Sequence, residues 1–155
     1  MLKVCGLAHH EAALLARQRT GSQMTSEHLP TDQFPGFLGI ESVSFDDGRV
    51  TAELPIRGEH FAPNGFVHAA VIVGLADTLC GYGCLASLPE GASGFTTVEL
   101  KTNFLGAARE GKLTAVAVPV HRGRSTQLWD ATVTSRDGRT VAVFRCTQLV
   151  LWPRG

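Results

Sequence analysis

The sequence predicts an α+β domain of two layers, with an antiparallel sheet of five to six strands wrapped around one long central helix. Three observations carry this. First, Val67 to Ala86 lies in the longest apolar segment of the chain and holds no proline; at about 1.5 Å per residue it makes a helix of roughly 30 Å. Second, the flanking segments alternate apolar and polar residues, the period of a half-buried strand. Third, the alternating runs are joined by short Gly-containing turns, which allow only antiparallel neighbours. One apolar helix against such a sheet gives two layers, with the helix at the core.

In order along the chain, residues 1 to 35 form an N-terminal helix and a connecting loop. Leu7, Leu14 and Leu15 among Ala, Arg and Gln read as an amphipathic helix over residues 1 to 21, and Gly21 to Pro35 is polar and rich in turn residues. The main domain spans residues 36 to 155. Its first strand runs over Phe37 to Phe45, followed by the hairpin turn Asp46-Asp47-Gly48 and a second strand from Arg49 to Pro55 with Val50, Ala52 and Leu54 on one face. Pro63-Asn64-Gly65 is a turn, because proline fixes φ and glycine tolerates positive φ. The long helix follows, and Pro89-Glu90-Gly91 ends it. A third strand, Phe95 to Leu105, buries Val98, Leu100 and Phe104, and Gly106 to Gly111 is the next turn. Leu113 to Val120, Ser125 to Ser135 and Thr140 to Trp152 are the last strands, separated by Arg122-Gly123-Arg124 and Arg136-Asp137-Gly138-Arg139. The last closes the sheet with Val141, Val143, Leu149 and Leu151.

The chain has 155 residues, a length that fits one domain with a sizeable core. Lys plus Arg and Asp plus Glu both number 14, so no basic excess points to nucleic acid. With 44% apolar and 18% charged residues, the chain is folded and has surface to hide in an oligomer. Cysteines stand at 5, 80, 84 and 146, without C-x-x-C spacing. Cys80 and Cys84 share a helix face and read as buried thiols rather than metal ligands, in a reduced, cytoplasmic protein. His9, His10 and Glu11 interrupt any signal-peptide core, and no apolar run suggests a membrane span.

Two side chains in the long helix can do polar chemistry of consequence, His68 near its start and Asp77 in its middle. A carboxylate inside an apolar helix needs a reason. Nine residues of helix place the two on opposite sides, about 13 Å apart along the axis, so they cannot pair within one helix. A second copy, antiparallel across a two-fold axis near Ile72 and Val73, brings His68 of one chain towards Asp77 of the other. The first helical N–H groups, over Val67 to Ala70, have no internal partner and carry partial positive charge, which suits a developing oxyanion. An ionised Asp77 either attacks a carbonyl or activates water. Thr78 is a candidate orienter of Asp77, Thr96 and Thr97 are candidates to reach it from the third strand, and His60 and Phe61 are candidates to line a pocket.

Asn64-Gly65-Phe66-Val67-His68-Ala69-Ala70, followed by Asp77, resembles the hotdog-fold acyl-CoA thioesterases of the PaaI and 4-hydroxybenzoyl-CoA thioesterase type. The resemblance covers residues 36 to 152 and includes Thr97-Val98-Glu99-Leu100-Lys101-Thr102-Asn103-Phe104-Leu105, Gly123-Arg124-Ser125 and Asp137-Gly138-Arg139-Thr140-Val141-Ala142. It implies a hotdog fold and hydrolysis of an acyl-CoA ester, aryl or medium-chain, to free acid and CoA. It also implies a homodimer or homotetramer with a site shared between subunits, and no cofactor, CoA being part of the substrate. Residue by residue, Asp77 matches the helix carboxylate that serves as nucleophile or general base. His68 matches the histidine beside the thioester, and Ala69 the position whose N–H polarises its carbonyl. Arg124, Ser125 and Thr126 lie where some members contact the CoA phosphates. Two positions depart from the pattern. Ala69-Ala70 replace the usual Gly-Gly, adding two methyl groups near the carbonyl. Ala62 stands where Asn or Gln is usual, with Asn64 two residues on. The alternatives on the same fold are a non-catalytic acyl-CoA-binding protein, and a hydratase or dehydratase.

Overall fold

The computed structural model describes residues 32–153; the helix expected over residues 1 to 21 lies outside them, as does most of the loop to Pro35. The elements run α1 (Phe34–Leu38), β1 (Glu41–Asp46), β2 (Arg49–Pro55), a single 3-10 turn (Gly58–His60), α2 (Ala69–Ala86), β3 (Gly94–Phe104), β4 (Lys112–Arg122), β5 (Thr126–Ser135) and β6 (Thr140–Leu151). The six strands form one antiparallel sheet in the order β1-β2-β4-β5-β6-β3, and α2 packs across it against β2 to β6. This is the hotdog architecture.

Helix α2 buries Val71, Ile72, Leu75, Ala76, Leu79, Cys80 and Cys84 against the inward residues of the sheet, among them Leu54, Leu113, Ala115, Trp129, Val133 and Phe144. By length and composition alone α2 would suffice to cross a membrane, contrary to the sequence reading; here its apolar face is taken up by the sheet. Glycine sets how close it lies. A Cβ on Gly83 would stand 2.4 Å from the Trp129 ring, so the indole packs against bare helix backbone. The Trp129 indole N–H donates to Gln127 Oε1, which also accepts from the Ser87 hydroxyl at the end of α2. The Ser87 backbone N–H donates to the Gly83 carbonyl at 3.2 Å. The helix C-terminus is thus tied to β5 through buried polar groups, as orphaned carbonyls require.

Four expectations change. Phe37 and Leu38 belong to α1, where Pro35 favours a helical first turn and Gly39, at φ 73°, ends it; the strand starts only at Glu41. The helix starts at Ala69, not Val67, because His68 is its cap in extended backbone. Gly106–Gly111 is not a hairpin turn: β3 pairs with β6, so the chain from Leu105 to Gly111 crosses the domain before entering β4 beside β2. Consequently β6 does not close the sheet; β3 is the edge. Finally, Val98, Leu100 and Phe104 are exposed at 56%, 45% and 47% rather than buried. On β6 the buried set is Val141, Ala142, Phe144, Cys146, Gln148 and Val150, while Val143 and Leu149 are exposed.

Candidate active site

The start of α2 is built by the loop before it. Asn64 Oδ1 accepts from the Phe66 N–H at 3.2 Å, a local Asx turn that closes the Pro63-Asn64-Gly65 bend. Val67 is anchored to the crossover by donating its N–H to the Ala108 carbonyl at 3.0 Å. Arg109 of that crossover lies over the Phe66 ring, 4.0 Å from its centre. His68 donates its N–H to the His60 carbonyl at 2.8 Å, and its ring Nδ1 accepts from the Ala70 N–H at 3.0 Å, capping the helix. His60 is buried and held by Arg57, whose N–H donates to His60 Nδ1 at 3.1 Å. Burial and the Arg57 charge hold the His60 ring below its usual range. His60 thus supports the loop from beneath rather than lining an open pocket.

This narrows the oxyanion candidates. Of the four N–H groups over residues 67 to 70, three are engaged, by the Ala108 carbonyl, the His60 carbonyl and the His68 ring. Among the described residues, the Ala69 N–H has no acceptor. His68, Ala69 and Ala70 are all exposed, so this donor faces outward at the positive end of α2. The two methyl groups that replace the usual glycines stand on the same exposed surface.

Asp77 sits two helical turns further on, half-buried. No salt bridge reaches it among the described residues. Its one hydrogen-bond contact among them is the Thr97 hydroxyl of β3, 3.4 Å from Oδ1. Burial pushes its carboxyl above the usual range, and the Thr97 hydroxyl pulls it partly back. A carboxylate held in an apolar wall without a cation is a stronger base than a solvated one. Thr97 is therefore the strand residue that meets Asp77. Thr78 is not placed to orient it: its hydroxyl donates to the Gly74 carbonyl at 2.6 Å. His68 caps the start of α2 and Asp77 lies in its middle, and no hydrogen bond joins the two among the described residues.

The third group of candidates lies at the β4–β5 turn. Arg124 and Ser125 are exposed and Thr126 is half-buried. The Arg124 guanidinium lies over the Trp152 ring at 4.3 Å, and the Trp152 indole N–H donates to the Arg124 carbonyl at 3.3 Å. The stacked guanidinium keeps its N–H edges available for an anion. The Ser125 carbonyl accepts from the Val150 N–H, which fixes the turn to β6. One participant escaped the sequence reading altogether. Gln148, fully buried on β6, holds the Thr97 hydroxyl through its Oε1 at 2.9 Å.

With this geometry in hand, the relatives are informative. The Thioesterase superfamily model matches residues 64–142, which contain every candidate site residue named above except His60, Phe61 and Gln148. The chain is 31% identical over 110 residues to the 1,4-dihydroxy-2-naphthoyl-CoA hydrolase of Listeria monocytogenes, covering 71% of this chain and 89% of that one. It is 30% identical over 109 residues to the acyl-coenzyme A thioesterase PaaI of Escherichia coli, covering 70% and 75% of the two chains. Among solved structures, thioesterase HI1161 from Haemophilus influenzae superposes with a TM-score of 0.76 at 29% identity, over 84% of this chain and 92% of that chain.

Proposed function

The chain belongs to the Thioesterase superfamily and is a thioester hydrolase, and on that premise we propose that it cleaves acyl-CoA esters with Asp77 as the catalytic carboxylate and the Ala69 N–H as the carbonyl donor. The observation that carries this is the pairing on one helix of an exposed first residue, whose N–H has no acceptor among the described residues, with a half-buried carboxylate that no cation among them neutralises. Thioester hydrolysis asks for those two things, a nucleophile or base and a donor for the developing oxyanion. In one route Asp77 attacks the thioester carbon, the C–S bond breaks, CoA leaves as the thiolate and takes up a proton, and water hydrolyses the mixed anhydride. In the other Asp77 takes a proton from water as that oxygen attacks, and the tetrahedral intermediate collapses with loss of the same thiolate. Label on Asp77 after single turnover in ¹⁸O water identifies the first route, with water attacking the Asp77 carbonyl carbon of the anhydride; the second route never labels Asp77.

The acyl group is aryl or medium-chain in this reading. The Listeria relative, named for an aryl ester, supports the aryl class. Arg124, Ser125 and Thr126 hold the CoA phosphates, supported by the outward guanidinium stacked on Trp152. The working unit is a two-fold oligomer in which Asp77 of one chain faces Ala69 and His68 of another. The separation of the two groups within one chain supports this, as does β3, an edge strand of 11 residues with exposed Val98, Leu100 and Phe104.

The test is thiol release from short, long and aromatic acyl-CoA esters by the wild type and Asp77→Asn side by side. Turnover that falls by about 10²–10⁴-fold in the variant, the usual worth of a positioned acid–base group, is the expected result. Turnover indifferent to the substitution would remove Asp77 from the chemistry, and binding without turnover on any ester would make this a binding protein.

A further inference from the structure

Gln148 is the buried polar side chain that the hydrolytic reading leaves unexplained. It is 0% exposed and lies on the inner face of β6. The other fully buried glutamine, Gln127, has a structural employment: it accepts from Trp129 and Ser87 and donates to the Ser87 carbonyl. Gln148 differs. Its Oε1 accepts from the Thr97 hydroxyl at 2.9 Å, and its Nε2 donates to Cys146 Sγ at 3.3 Å. Thr97 in turn lies 3.4 Å from Asp77 Oδ1. The four side chains thus form a line from the β6 core to the carboxylate.

The hydroxyl of Thr97 has one hydrogen, and that hydrogen cannot serve both neighbours. Where it goes to Gln148, Thr97 can only accept on its other side, which suits a protonated Asp77 that donates. Where it goes to Asp77, Gln148 must present its N–H to Thr97. The two ends of an amide have nearly the same shape, so rotation of Gln148 exchanges them without repacking. Its oxygen then faces Cys146, whose thiol has a hydrogen to give. Both polarities give every member of the line a partner. We propose that Gln148 is a positioning residue of this site: it aims the Thr97 hydroxyl at Asp77 when Asp77 is ionised and receives it when Asp77 is protonated.

The inference rests on Asp77 as the catalytic carboxylate, and its surroundings leave few competing charges. On α2 the neighbouring titratable group is Cys80, which its hydrogen bond with Cys146 and then burial push up, so it is neutral. From β6 it is Cys146 itself. Of the charged groups on the other strands, Asp130 pairs with Arg145, Glu53 with Lys112, and Glu99 lies near the Thr147 hydroxyl; Asp130 adds its field at Cys80.

The experiment is an NMR titration of the full chain, carboxyl-labelled at Asp and assigned with Asp77→Asn, run beside kcat/KM against pH. In the wild type the Gln148 side-chain amide signals shift with the same midpoint as the Asp77 carboxyl. In Thr97→Val that coupling disappears and Asp77 titrates at higher pH. In Gln148→Met it also titrates higher, and kcat/KM below the acid limb falls about three- to tenfold with the plateau within about twofold. Gln148→Met adds nothing in the Thr97→Val background. A Gln148 amide that ignores the Asp77 titration, measured on the wild type and so free of folding defects, overturns the inference. The NMR midpoint stands apart from turnover. Turnover indifferent to Asp77→Asn would refute the functional reading while the amide titration still decided the relay.

Discussion

Replacing Ala69 by proline deletes one N–H and little else. Ala69 is the first residue of α2, a position where proline is accepted because its N–H has no helical partner. The residue before a proline must be extended, and His68 already is, at φ −64° and ψ 138°. The side chain is exposed, so the ring meets solvent. No hydrogen bond within the described residues is lost, since the cap bond to the His68 ring comes from Ala70 and the next one from Val71. Stability therefore holds, or rises by up to about 1 kcal/mol from the stiffer unfolded chain. If that N–H is the oxyanion donor, kcat falls by about 10²–10³, or roughly 3–4 kcal/mol in the barrier. The assay is thiol release with the best acyl-CoA ester, beside a thermal melt, with Ala69→Ser as the control that keeps the N–H. A proline variant with an unchanged melt and full turnover would refute the assignment of the donor. A lower melt with unchanged turnover would refute the account of the cap as well.

Mixing inactive Ala69→Pro and Asp77→Asn chains restores about a quarter of wild-type activity if each site draws on two copies of a random dimer; no recovery after subunit exchange places both groups in one chain. Asp77→Asn melts higher than the wild type, by roughly 3 °C for about 1 kcal/mol. The sign follows from linkage: a carboxyl raised in the fold is ionised more readily when unfolded, so stability declines as pH rises from the ordinary 3.8 through the folded value, and the amide removes that decline. His60, whose ring is held below its ordinary 6.5, works the other way. As pH falls below 6.5 the unfolded chain binds the proton first, so the urea midpoint drops over that window and flattens in His60→Gln. Gly83→Ala puts a methyl group into the Trp129 ring, costing about 2–3 kcal/mol and roughly 5–10 °C in Tm. Arg124→Ala raises KM for an acyl-CoA ester about tenfold while leaving KM for a pantetheine ester without the nucleotide unchanged.

The elements were legible because local patterning and tertiary demand agree over most of the chain. Arg49–Pro55 carries the same bounds in sequence and structure, with Val50, Ala52 and Leu54 buried as alternation requires. Alternation reports which residues share a face, however, and not whether anything covers that face. Leu100 stands opposite Cys146 in register, yet Cys146 lies under the helix while Leu100, on the edge strand, extends beyond it. The same limit hid the crossover. Gly106–Gly111 has the length of a hairpin turn, and only the pairing of β3 with β6 shows that it spans the domain. Gln148 left a signal that went unused. Ala142, Phe144, Cys146, Gln148 and Val150 form one period-two buried row, and an amide in such a row needs a partner.

The helix start shows why glycine is not required where alanine stands. Glycine would be needed there if the backbone took a positive φ, but among the described residues the positive φ angles fall elsewhere, and Gly65 supplies one at the turn before the helix. Ala69 and Ala70 take ordinary helical backbone with their methyl groups exposed. The Ala69 N–H proposed as carbonyl donor therefore survives the exchange, and the methyl groups act on shape alone, by limiting what can lie against the first turn of α2. Flat groups approach such a surface more readily than branched ones. The aryl preference proposed here thus draws on the helix start as well as on the Listeria relative. A branched-chain acyl-CoA turned over faster than an aryl ester by the wild type, with the order reversed in Ala69→Gly, would show that the methyl groups select in the opposite sense.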